Sequence, residues 1–299
     1  MTELLHLTRR NVKLFFKDKG MFFTSLITPG ILLVLYATFL SKVYKDSFMM
    51  SIPEGLDLAE KLIDGCVGGQ LISSLLAVSC ITVAFCSNML MVQDKVNGSL
   101  KDLTMSSVKR STLALSYFFA TLLSTLIICF IATGICLIYV ANVGWYMSTS
   151  DVLLMLVDVV LLATFGTALS SIINFFLSTQ GQISAVGTII SAGYGFICGA
   201  YMPISQFSDG LQKVISFLPG TYGTSLIRNH AMRGTFTEMK NVGFPDEVVE
   251  AIKDSIDCNL YFFDHEVVTG AMYAILGGSV AILIIVYILL NIIQGKKAN

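Results

Sequence analysis

The chain has 299 residues, 55% of them hydrophobic and 13% charged, with a mean hydropathy of +0.76. A soluble domain of this size has too little interior to keep so much apolar surface from water, so the composition assigns the chain to a membrane. A formal net charge of -1 lacks the basic footprint of a nucleic-acid binder, and nucleic acid is not an expected partner.

Residues 1–20 mix Leu4, Leu5, Leu7, Val12, Leu14, Phe15 and Phe16 with Arg9, Arg10, Lys13, Lys17 and Lys19. This is the composition of an interfacial amphipathic helix on the inner leaflet, or of a basic flank that orients the first span. Six apolar runs follow, at about 21–41, 67–92, 112–141, 152–177, 181–201 and 268–293. Each is long enough to cross a hydrocarbon layer of roughly 30 Å as a helix, and none alternates as a barrel strand would. The expected fold is an all-α membrane protein of six transmembrane helices within 21–299, the first bent by Pro29. Basic residues precede the first run, fill 93–111 with Lys95, Lys101, Lys109 and Arg110, and end the chain at Lys296 and Lys297. Segments 42–66 and 203–267 are acidic instead, so the positive-inside rule places both termini in the cytoplasm and those two segments outside.

Segment 42–66 carries Pro53 and Gly55 and is read as a solvated connection. In 93–111 the order QDKVNGSLKDLTMSSVKR spaces Ser99 and Asp102 like a capping box, with Ser99 as the cap and Leu100, Leu103 and Met105 in a short helix projecting into the cytoplasm. Asp158 is the carboxylate within a predicted span and so a candidate for a pathway or proton role; a span entering at Val157 would instead leave it at the outer interface. Asn174, Gln180 and Gln182 flank a short inner turn as solvated caps.

Between Pro203 and Pro219, Ile204, Phe207, Leu211, Val214, Ile215 and Leu218 recur at helical spacing, which predicts a short amphipathic helix that lies in the interface or re-enters. Pro245, Asp246 and Glu247 open another helix with Val248, Val249, Ile252 and Ile256 on one face, a cap over an outer vestibule. The seven cysteines show no metal spacing; five sit in or beside spans, while Cys66 and Cys258 fall in outer regions, as free thiols or as a bridge. His230 and His265 are too isolated for a metal site and are expected to be solvated. No histidine lies in a span, which leaves an intramembrane hydrolase without its base. No GxxxxGK[ST] loop occurs, so this chain is not expected to bind or hydrolyse ATP itself.

The words GFICGAYMPISQF, LQKVISFLP and TSLIR, in this order after an apolar span, resemble the permeases of ABC-2 type exporters, with Gly199, Met202, Pro203, Phe207, Leu211, Pro219 and Arg228 in the outer gate or re-entrant region. FFTSLITPGILLVLYATFL resembles the family's first span. The inner loop resembles its coupling segment, with Asp94, Lys95, Gly98, Ser99, Leu100, Asp102 and Leu103 at the matching places, although the family favours Glu where Asp94 and Asp102 stand. The resemblance implies a pathway formed by two permease subunits, as a homodimer or a heterodimer, and two separate ATP-binding cassette subunits that hold ATP and Mg. It leaves the substrate open among amphiphiles such as a drug, a lipid or an antimicrobial peptide. An ion-gradient-driven secondary transporter is the alternative, for which Asp158 would be the coupling carboxylate.

Overall fold

The computed structural model describes residues 2–50, 60–105, 108–263 and 265–297. Helix α1 (Thr2–Lys17) stops at Asp18, whose carboxylate accepts the Met21 N–H at 3.1 Å and so caps α2 (Lys19–Leu35). Pro29 lies inside α2 without ending it. A π-helical stretch, Tyr36–Leu40, then leads into α3 (Ser41–Met50). Much of the expected 42–66 connection is therefore helix, because residues 41–50 contain no breaker; Pro53 and Gly55, which signalled a loop, lie outside the described residues. Tyr36 donates to the Val67 carbonyl and Lys45 pairs with Asp64 at 3.2 Å, tying this helical arm to the next element.

That element, α4 (Glu60–Val96), is apolar on every face, and such a helix must be surrounded. It packs against α2, α6 (Arg110–Val143), α7 (Thr149–Phe176), α8 (Gln180–Ile197) and α10 (Pro219–Asn241). Its interfaces are lined by small polar side chains; Asn88 Nδ2, for instance, donates to Ser170 at 3.0 Å and Ser171 at 2.9 Å on α7. Between α4 and α6 stands the seven-residue helix α5 (Ser99–Met105). Ser148 with Asp151 and Thr179 with Gln182 form reciprocal capping boxes that start α7 and α8.

After α8 come a 3-10 turn (Ile204–Gln206), α9 (Asp209–Ile215), α10, α11 (Asp246–Ser255), a hairpin of β1 (Tyr261–Phe262) with β2 (His265–Glu266), and α12 (Thr269–Lys297). The single amphipathic helix expected between Pro203 and Pro219 is thus two pieces. Ser208 and Asp209 restart the helix, so a periodicity read across them joined faces that the chain separates. The hairpin was not foreseen.

Among the described residues, five helical segments are long and apolar enough to cross a membrane: Lys19–Asp46, Lys61–Val96, Arg110–Val143, Thr149–Phe176 and Thr269–Gln294. The run expected at 181–201 folds as α8, whose 18 residues span about 27 Å at 1.5 Å each and which lies outside that set. It ends at Ile197 because Gly199, at φ +69, turns the chain. Arg110 donates to the Gln294 carbonyl at 3.4 Å, so α12 returns to the end of the bundle that holds α5 and α1. The chain therefore begins and ends at the α5 end, while α10, α11 and the hairpin occupy the other.

Candidate functional site

At the α5 end, Asp94 is a buried hub. Its carboxylate accepts from Arg10 at 2.8 Å and from the Tyr117 hydroxyl, so α1, α4 and α6 meet on one side chain. The bond to Asp94 raises the Arg10 guanidinium above its ordinary value, against partial burial. Beside it, Asn11 donates to Ser116 at 3.3 Å, and Phe15 packs with Leu90, Met91, Leu113 and Tyr117. Helix α1 is therefore docked on the bundle through Arg10, Asn11 and Phe15.

Lys95 faces the other way. Its ammonium donates to the carbonyls of Asn174 at 3.1 Å, Phe175 at 2.7 Å and Leu177 at 3.2 Å, closing the C-terminus of α7. Lys95→Met is expected to lower stability by about 1–3 kcal/mol, because carbonyls at a helix terminus lose a charged donor. Apparent melting temperature, with protease sensitivity of the 177–179 turn, checks this; an unchanged turn would contradict the capping role.

This root holds α5 in place. The carbonyl of Gly98, at φ +80, accepts from the Lys101 and Asp102 N–H groups, so Gly98 occupies the cap position and the helix starts at Ser99, one residue earlier than expected. Leu100 and Leu103 pack back against the Phe15 cluster, whereas Lys101, Asp102 and Met105 point outward, Met105 being 73% exposed. Of the apolar residues expected in α5, Met105 therefore lies on the outward face and the two leucines do not.

A cavity of about 970 Å³ opens between α2 and α8, backed by Cys86, Met89 and Gln93 of α4. Its walls mix Thr24, Thr28, Ile31 and Leu35 with Ser184, Thr188 and Ser191. Apolar walls with a stripe of hydroxyls suit a molecule that is partly greasy and partly polar. Asp158 does not line it.

At the α10 end, Arg228 is completely buried and organises the turns around it. It donates to the carbonyls of Gly199 at 2.8 Å and Ile256, reaches Ser73 of α4 at 3.3 Å, and pairs with Asp257 at 3.4 Å. Asp257 in turn accepts the Ile204 N–H, the residue after Pro203, at 2.8 Å and 3.0 Å. Burial pushes the Asp257 carboxyl up, opposed by Arg228 and by that N–H. A Cβ on Gly199 would sit 2.7 Å from the same carboxylate, so this position needs glycine for room as well as for its φ. Gly199, Pro203 and Arg228, separate words in the sequence, are thus one knot. Pro219 begins α10, Met202 lies in the preceding bend and Phe207 packs on the core, but Leu211 is 43% exposed on α9 and does not join them. Asp257 comes from the acidic outer segment 203–267, to which the sequence assigned a cap but no role for this carboxylate.

Two further side chains of α10 are paired with acids. Arg233 bonds Asp151 at the start of α7, and His230 Nδ1 lies 2.6 Å from Asp158 Oδ2. The Tyr273 hydroxyl of α12 donates to the other Asp158 oxygen. Asp158 is fully buried and His230 is 6% exposed. The expectation for His230 needs correction, since it is buried rather than solvated; Asp158 is buried beside it and does not line the cavity between α2 and α8. His230, 72 residues further along the chain, meets Asp158 because α10 packs along α7, with Gly223 against Leu162. All seven cysteines are buried free thiols, Cys66 and Cys258 included, and among the described residues no cluster of metal-ligating side chains occurs.

No curated protein shows a significant match to the chain. A family model described as ABC-2 type transporter matches residues 2–231, from the docked helix α1 through the Asp94 hub, α5 and the cavity to the Arg228 knot. That match takes in more than half of the sequence, and the chain belongs to the ABC-2 type transporter family.

Proposed function

We propose that the chain is the permease subunit of an ATP-driven exporter that moves an amphiphile, such as a drug, a lipid or an antimicrobial peptide, across a bacterial plasma membrane. The observation that carries this reading is α5: a short helix with outward Lys101, Asp102 and Met105, set on a root that Asp94 and Lys95 tie to α1, α6 and α7. A helix so mounted can seat in the groove of an ATPase and pass its closure to the long helices without flexing at its base. The chain has no phosphate-binding loop of its own, so ATP and its magnesium ion would be held by two separate ATP-binding cassette subunits docked at the α5 end. That end is cytoplasmic in this reading, since Lys101, Lys109 and Arg110 gather there, and α8 makes a sixth crossing. Two permease copies would face each other so that the hydroxyl-striped cavity between α2 and α8 lines a shared path.

The test is transport in proteoliposomes containing the permease with its ATPase. Outward movement of a fluorescent amphiphile that requires ATP and survives ionophores is expected. Movement driven by an ion gradient without ATP, and lost with Asp158→Asn, would replace this reading with a secondary transporter.

A further inference from the structure

At the α10 end an apolar surface remains that neither the cavity nor the Arg228 knot uses. Phe217, just after α9, is 62% exposed, and its ring meets Phe262 at 5.1 Å and Phe263 at 6.1 Å from the hairpin, themselves 5.0 Å apart. Val214 and Leu211 extend the patch along α9, and both are exposed. We infer that this aromatic patch is a second membrane contact: it inserts into the outer leaflet at the boundary between headgroups and acyl chains, and holds the region outside the spans against the lipid.

Continuity with the lipid-facing wall argues for lipid rather than another protein. The hairpin runs through exposed Val268 straight into α12, whose outer face carries exposed Ile275 and Ile282, so the patch prolongs the open apolar face of a helix long enough to cross a membrane. The local charges specify what kind of lipid contact this is. Asp209, Lys213 and Asp254 line one hollow with Phe263, acids outnumbering the cation, and the Lys213 ammonium lies 5.9 Å from the Phe263 ring centre. Such a balance gives no attraction to anionic headgroups, so the contact depends on apolar area, as aromatic belts do.

The backbone supplies an independent argument. Phe263 stands at the hairpin turn with φ 55. A left-handed turn position favours Asn or Gly, and a bulky aromatic is strained there. A phenylalanine at that place serves its ring rather than its backbone.

The experiment moves the chain's one tryptophan: Trp145→Phe with Phe263→Trp makes the turn the sole indole reporter. The protein is reconstituted in phosphatidylcholine, with and without bromine on acyl carbons near the headgroup, and separately in phosphatidylglycerol. Brominated lipid is expected to remove about half or more of the emission, with similar loss in neutral and anionic bilayers, as for a ring about 5–10 Å below the surface. Emission untouched by brominated lipid but quenched by aqueous iodide would overturn the inference, as would emission shielded from both quenchers, which would mean a protein cover. Phe263→Asn separates lipid contact from folding: it relieves the turn, so the melting temperature in detergent is expected to hold or rise. A Phe217→Trp reporter in the Trp145→Phe background is then expected to lose part of its lipid quenching. A fall in melting temperature with quenching unchanged would make the ring a packing residue instead. The result does not depend on ATP, so it stands or fails apart from the exporter reading.

Discussion

Arg228→Met is expected to be among the most damaging single changes in this chain, lowering stability by about 3–5 kcal/mol, because it leaves the buried Asp257 carboxylate without its cation. The same change removes the donor to the Gly199 and Ile256 carbonyls, so the turn after α8 and the end of α11 lose a shared support. Adding Asp257→Asn should restore part of the loss. Asparagine removes the unpaired charge, can still accept the Ile204 N–H, and tolerates the backbone at φ 56. Apparent melting temperatures in detergent for the two singles and the double check this. If Arg228→Met were neutral, or if the double were no better than the single, the knot would not be the organiser of the α10 end.

The Asp158 cluster makes an asymmetric prediction. His230→Leu leaves a fully buried carboxylate supported by Tyr273 alone, an expected loss of about 3–5 kcal/mol. Asp158→Leu leaves behind an imidazole and a phenol without their shared acceptor, so the expected loss is smaller, about 1–3 kcal/mol. The double substitution should cost less than the sum of the singles, since the partner each change would strand is already gone. Additive losses of equal size would show that the two groups are not coupled. Because the cluster joins α7, α10 and α12, its loss should also loosen α10, measurable as faster amide exchange along 219–241.

Periodicity and charge made much of this molecule legible. Five of the apolar runs became long helices because hydrocarbon leaves a backbone few alternatives, and the Gly and Ser after Asn97 marked where a short helix would begin. Face patterns, however, report which side of a helix is greasy and not what it meets. The sequence placed Leu100 and Leu103 on the apolar side of α5, and only the neighbouring Phe15 cluster reveals that this side is turned inward. Partners far apart in the chain were invisible for the same reason: Arg10 and Asp94 are separated by 84 residues, His230 and Asp158 by 72, and Arg228 and Ser73 by 155. Asp257 read as one more exposed acid because burial of its segment is decided by α10, which is itself too polar to look like a core helix. Helices that are buried through charge pairs rather than apolar faces carry no periodic signature.

Whether α5 couples this permease to a separate ATPase is decided by co-purification. Extracted mildly from its native membrane, the chain should bring down a soluble P-loop ATPase. Met105→Asp places a charge on the outward face of α5 without touching the inward leucines, so it should release that ATPase while leaving the melting temperature within about 0.5 kcal/mol of unchanged stability. An ATPase that stays bound to a folded Met105→Asp variant would contradict the assigned face, and the absence of any ATPase from the unaltered chain would contradict the coupling itself.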